Sequence, residues 1–146
     1  MITRIICVGN RYIQGDDTGT RVYDYLSRKP IPENVEVLDG GLMGLDLIRL
    51  VEGTARVVFV DSLSGFNGSG EAVVLDGLEV GKDTTTGYGH SGGLEYLLRM
   101  LPAVWEGDLP EVFLVGAEGF PDEQTIADIA KTCVEIAAGQ ANNHPS

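Results

Sequence analysis

The chain reads as an α/β protein built on a mostly parallel sheet with one antiparallel strand. Three observations point there. The apolar run Ile5-Ile6-Cys7-Val8 stops at Gly9-Asn10 and gives way to helical periodicity over residues 18–28, a β-then-α unit of the kind that builds parallel sheets. The run Val57-Val58-Phe59-Val60 is apolar without alternation, as expected of a strand covered on both faces. Between that run and the next, Ala72 to Leu75, lies only the Gly- and Ser-rich link Ser62 to Gly70. It is too short for a helical crossover, so the fourth strand should run antiparallel to the third and lie beside it.

The elements follow in order. The first helix, Thr18 to Arg28, carries Val22, Tyr25 and Leu26 on one face. Pro30 and Pro32 break it. Val35 to Leu38 is the second strand, closed by Asp39-Gly40-Gly41. A second helix spans Leu42 to Val51, with Leu45, Ile48 and Leu50 apolar and Gly53 as its C-terminal cap. The third strand ends at Asp61. Residues Asp76 to Gly93 are polar and Gly-rich and read as a long loop. A third helix covers Leu94 to Leu101 and should stop at Pro102. Val112 to Val115 is the fifth strand. The last helix runs from Asp122 to Ala138 with Ile126, Ile129, Cys133 and Ile136 on its inner stripe. Residues 1–138 form one domain, and 139–146 read as a flexible tail.

Composition narrows the function classes. Lys and Arg number 10 against 22 Asp and Glu, a net charge of −12. Such a chain is a poor ligand for nucleic acid or anionic lipid, both of which need clustered cations. It has neither a charged-then-apolar leader nor an apolar run of membrane-spanning length, so the expectation is a cytoplasmic monomer. Cys7 and Cys133 belong to no C-x-x-C pair and read as reduced core residues.

Three potential ligands stand out by position. Asp16, or its neighbour Asp17, follows the first strand; Asp61 follows the third; His90 lies in the long loop. In open α/β sheets the functional crevice lies beyond the carboxyl ends of the strands. Strands one and three, if neighbours, would bring the two acids about 5 Å apart. Two carboxylates so close repel unless something positive lies between them. One imidazole and two carboxylates would suit Ni, Zn, Mn or Fe(II). Each residue also has an ordinary use: Asp16 or Asp17 as a helix cap, Asp61 as a turn residue, His90 as an exposed loop side chain. Other chemistries fare worse. Gly89-His90-Ser91-Gly92-Gly93 matches G-x-S-x-G, but the segment before it is polar and Thr-rich rather than a strand. Only His144 would remain as a base for a serine triad. Gly9-Asn10-Arg11 is no dinucleotide fingerprint.

In order along the chain, Val8-Gly9-Asn10, Asp16-Asp17-x-Gly19, Leu38-Asp39-Gly40-Gly41, Val60-Asp61, Gly70-Glu71-Ala72, His90 with Leu94, and Pro110 to Gly116 resemble the maturation endopeptidases of nickel-iron hydrogenases. The resemblance implies a three-layer α/β/α sandwich of phosphorylase/hydrolase-like type. Its five-stranded mixed sheet has the antiparallel fourth strand at an edge, beside the fifth. It implies a metal-linked peptidase that removes the C-terminal extension of the nickel-iron hydrogenase large-subunit precursor after nickel insertion. Asp16, Asp61 and His90 map onto its metal-binding residues, where Zn or Cd could also sit. The chain departs from the family in having five residues between Asn10 and the acidic pair instead of four, with Thr18 after the pair and Gly89 before His90. Counting from Asn10 or back from Gly19 selects Asp16; aligning the pair itself selects Asp17. Two other functions fit the same residues: a non-catalytic chaperone or adaptor for the large subunit, and a metal-dependent α/β hydrolase of small substrates.

Overall fold

The computed structural model describes residues 2–41, 44–64, 70–82 and 94–139. Five strands form one sheet: β1 (Ile2–Val8), β2 (Val35–Gly41), β3 (Thr54–Leu63), β4 (Val73–Asp76) and β5 (Glu111–Glu118). Their order is β2-β1-β3-β5-β4. The first four positions are parallel, and β4 pairs antiparallel with β5.

Alternation along β1 sends Ile5 and Cys7 to one face and Ile6 and Val8 to the other, and each face has its own core. One gathers Ile5, Cys7, Val58, Val60 and Val115 under α1 (Thr18–Leu26) and α5 (Glu123–Ala137). The other gathers Ile6, Val8, Phe59 and Leu114 under α4 (Leu94–Val104) and the short α2 (Ile48–Val51). The fold is the expected α/β/α sandwich, and β3 is apolar throughout because helices cover it on both sides. Cys7 and Cys133 are free and buried in the first of these cores. Burial raises both thiols, Cys7 also feeling Cys133.

Several local expectations need correction. The fourth strand is antiparallel as reasoned, but it lies beside β5 and not beside β3. Both edges of β3 are taken, by β1 and β5. The link from Leu63 to Val73 can reach about 30 Å, ample to pass one intervening strand. The third strand does not end at Asp61: β5 extends it, pairing Asp61 with Gly116, Ser62 with Ala117 and Leu63 with Glu118. The second helix is instead a 3₁₀ turn (Gly44–Leu47) leading into α2, with Gly53 following at φ 79°. The long loop opens with a helical turn, α3 (Gly77–Lys82), capped by Asp76 Oδ1, which accepts from Leu78 N and Glu79 N. Pro102 does not stop α4. It removes a single hydrogen-bond donor near the end of the helix, and Trp105 N still donates to Leu101 O at 3.1 Å. Residues 42–43, 65–69 of the Gly- and Ser-rich link, 83–93 of the long loop and the tail from 140 lie outside the described residues, as does the side chain of Leu45. Among the described residues no helix is long and apolar enough to cross a membrane.

Candidate functional site

β1 has β2 on one side and β3 on the other, so the chain leaves β1 where the sheet order diverges, the usual position of a functional crevice. Gly9 turns the chain there with φ 142°, a conformation that side chains disfavour. A Cβ on Gly9 would also lie 2.5 Å from the Asp16 carbonyl oxygen. The loop is tied at both ends: Gly9 N donates to Gly41 O (3.0 Å) and Asn10 N to Asp16 O (2.9 Å). Within it Asn10 Oδ1 accepts from Tyr12 N and Ile13 O from Asp16 N, both at 2.9 Å. These bonds hold Asp16 against the end of β1.

Helix α1 starts on the same lip. A Cβ on Gly19 would meet Val8 O at 2.1 Å, Val8 N at 2.7 Å and Val60 O at 2.8 Å. The helix therefore rests directly on the backbones of β1 and β3. Gly116 does the same from the other side, where a Cβ would fall 2.0 Å from Asp61 O.

Asp61 lies between these supports. It is fully buried at 0 % exposure. Its Oδ1 accepts from Ser62 N at 2.8 Å, and its Oδ2 has no hydrogen-bond partner among the described residues. Burial raises its pKa well above the usual carboxylate range; the Ser62 N–H opposes this and the charge of Asp16 adds to it. A buried polar atom left unpaired costs free energy and calls for an explanation. The turn role considered for Asp61 does not supply one, because Asp61 is in a strand.

Asp17 stands at the N-cap of α1, but its side chain makes no capping hydrogen bond; its carbonyl accepts from Arg21 N and Thr20 Oγ1. Of the pair, Asp16 is the one whose charge adds to the raised pKa of Asp61. His90 lies outside the described residues. Among the described residues no three His, Cys, Asp or Glu side chains sit together as a metal-holding group. Asp39 lies at the end of β2, where its Oδ1 accepts from Gly41 N (3.0 Å) and its Oδ2 is 3.7 Å from Arg11.

Two residues at this lip were missed by sequence reasoning. Thr18 and Ser62 are buried, and neither hydroxyl has a hydrogen-bond partner among the described residues. Thr18 looked like an ordinary helix-start residue and Ser62 like part of a polar link, so no local signal separated them. With Asp61 Oδ2 they are the buried unpartnered side-chain atoms among the described residues, and all three lie at the start of α1 or in β3 at the carboxyl end of the sheet. Chemically, an oriented buried carboxylate beside a second carboxylate favours a cation or a shared proton between them.

A family model described as hydrogenase maturation protease matches residues 20–136. The chain belongs to the hydrogenase maturation protease family. Solved structures agree with that placement. The hydrogenase maturating endopeptidase HybD from Escherichia coli is 26% identical, with a TM-score of 0.69 over 96% of this chain and 89% of its own. The endopeptidase HycI from Escherichia coli is 25% identical, with a TM-score of 0.68 over 98% and 93%. A [NiFe] hydrogenase maturation protease HycI from Thermococcus kodakarensis KOD1, 21% identical with a TM-score of 0.62 over 97% and 93%, shares the fold. No curated protein sequence matches significantly. The mixed sheet with its edge fourth strand is thus the family's architecture.

Proposed function

We propose that this maturation protease removes the C-terminal extension of the nickel-iron hydrogenase large-subunit precursor, recognising the nickel already bound there through Asp16, Asp61 and His90. The observation that carries the reading is the Asp61 carboxylate, buried beside Asp16 at the joined ends of β1 and β3 with one oxygen that has no partner among the described residues. A cation between these acids would answer both the unpaired oxygen and the repulsion. Carboxylate oxygens with one imidazole form a donor set suited to nickel.

In this reading nickel is part of the substrate. It is held by the precursor's cysteines, and the enzyme's side chains complete its surroundings. Gripping the metal fixes the neighbouring peptide bond relative to the lip, and positioning alone can supply a large share of a rate enhancement. Burial raises the Asp61 pKa in the free protein, and a cation at its second oxygen favours the ionised carboxylate. The acid pair is therefore poised to act as a base toward water. Once the extension is released, the large-subunit cluster closes.

The test replaces Asp16, Asp61 and His90 one at a time and follows the mass of a nickel-loaded precursor. Loss of cleavage in each variant is expected. Full activity in all three would end the proposal, and a precursor that binds the wild-type protein without losing mass would identify an adaptor instead.

A further inference from the structure

Large apolar side chains are exposed in a group at the carboxyl lip: Tyr12 at 88%, Ile13 at 53% and Phe120 at 69%. Tyr12 and Ile13 lie in the loop after β1, and Phe120 in the turn after β5. The two segments touch, because a Cβ on Gly15 would come within 3.0 Å of the Phe120 ring. Asp16 directly follows Gly15 in the chain, so the Phe120 contact lies one residue from the candidate site. Beside Phe120 a cavity of about 620 Å³ is lined by Glu71, Glu118 and Asp122, and among the described residues by no Lys or Arg.

The cations near this face are already engaged. Arg11 pairs with Asp24 (3.2 Å) and Asp39 (3.7 Å), and Arg21 with Glu123 (2.8 Å). The positive end of α5 is answered by Asp122, whose Oδ1 accepts from Thr125 N at 2.8 Å, so the helix offers little to an external anion. The face therefore combines exposed aromatic and aliphatic surface with an acidic hollow, on a chain of net charge −12.

We propose that this face docks the protein substrate through a segment in which an apolar side chain is followed closely by Lys or Arg. The apolar residue covers Phe120, Tyr12 and Ile13, and the cation enters the hollow lined by Glu71 and Asp122. Aromatic anchors contribute strongly to such contacts once water is excluded from them. Opposite charge speeds encounter and sets register. The inference rests on the processing reading above, since the docked segment must lead to the bond held at Asp16 and Asp61.

The test measures KM and kcat for the nickel-loaded precursor with wild-type protein, Phe120→Ala, Tyr12→Ala/Ile13→Ala and Glu71→Gln. All four residues are at the surface, and thermal melts check that the variants remain folded. Each aromatic truncation should raise KM by roughly tenfold or more, with kcat retained. Glu71→Gln should raise KM at low salt, with the difference closing as ionic strength rises. Unchanged KM in Phe120→Ala and Tyr12→Ala/Ile13→Ala would overturn the docking proposal. So would a concentration-dependent dimer of the wild type that disperses in Phe120→Ala, which would assign the face to a second copy of this chain. Binding of the precursor without cleavage, weakened by the same variants, would sink the protease reading and leave the docking face standing. A wild-type protein that neither binds nor cleaves the precursor would overturn both.

Discussion

Replacing Asp61 with Asn isolates the charge at the centre of the site. The substitution keeps the size of the side chain and an oxygen to accept from Ser62 N, now at 2.8 Å. It removes a carboxylate whose pKa is raised by burial and by the charge of Asp16. The sign of the stability effect follows from linkage. Below the unfolded value of about 3.9 both states hold the proton, and stability does not depend on this group. As pH rises past that value the unfolded chain releases its proton first while the native state keeps it. Native stability then falls by about 1.4 kcal/mol per pH unit until the native pKa is reached, and stays level above it. Asp61→Asn has no proton to lose. Its amide N–H groups are as unpaired as the oxygen they replace, which changes the offset between the two proteins but not the slope. Denaturant unfolding of both proteins at closely spaced pH values gives the difference directly, because carboxylates not coupled to Asp61 cancel. The variant should gain on the wild type with a slope of up to about 1.4 kcal/mol per pH unit above about pH 4. Parallel curves, or a wild type that gains stability relative to the variant as pH rises, would show that Asp61 is not held neutral by burial.

Three further outcomes follow from the same lip. Gly19→Ala should destabilise by about 3 kcal/mol in urea unfolding, against the roughly 1 kcal/mol gain that Gly→Ala gives in an open helix, because its Cβ would strike Val8 and Val60 backbone atoms at 2.1 to 2.8 Å. Asp16→Asn should lower processing of the nickel-loaded precursor on the order of 100-fold, whereas Asp17→Asn should stay within a few-fold of wild type; the reverse ranking would move the ligand to Asp17. Cys7 and Cys133, buried with raised pKa values, should resist a thiol reagent in the folded protein and both react on unfolding; rapid labelling of either in native buffer would contradict the packing of β1 against α5.

Much of the fold was legible because its signals are local or periodic. The unbroken apolar run of β3 announced burial on both faces, and the inner stripe of α5 appears in the core at Ile126, Ile129, Cys133 and Ile136. The misplacements were of another kind. Putting the fourth strand beside the third used the length of the link correctly for direction. It had no access to β5, which arrives later in the chain and takes that edge. Likewise β3 was cut at Asp61 because Asp and Ser are poor strand formers in isolation. Pairing with Gly116 and Ala117 overrides that preference. Within the site, Asp16 and Asp61 were legible as carboxylates at strand ends. Thr18 and Ser62 were not, since only tertiary burial distinguishes their hydroxyls from thousands of ordinary ones.

What places the two acids together is less the acids than the glycines around them. Gly9 and Gly19 flank the loop after β1 and Gly116 lies far along the chain in β5, and at each a single added carbon would fall 2.0 to 2.5 Å from a backbone atom of Asp16, Val8 or Asp61. Contacts that close mean that the loop after β1, the start of α1 and the strand β5 each approach the ends of β1 and β3 backbone to backbone. A helix cap needs no such crowding, and a turn aspartate needs none either. The crowding instead draws the Asp16 loop onto the strand end and buries Asp61, whose Oδ2 has no partner among the described residues. Because burial is the main cause of the Asp61 shift and the Asp16 charge a lesser one, loosening any of the three glycine contacts should bring Asp61 back toward ordinary carboxylate behaviour even with both acids intact. The pH range over which the protein loses stability relative to its Asp61→Asn counterpart should therefore end at a lower pH in Gly19→Ala, and an unchanged range there would separate the charge from the packing held to create it.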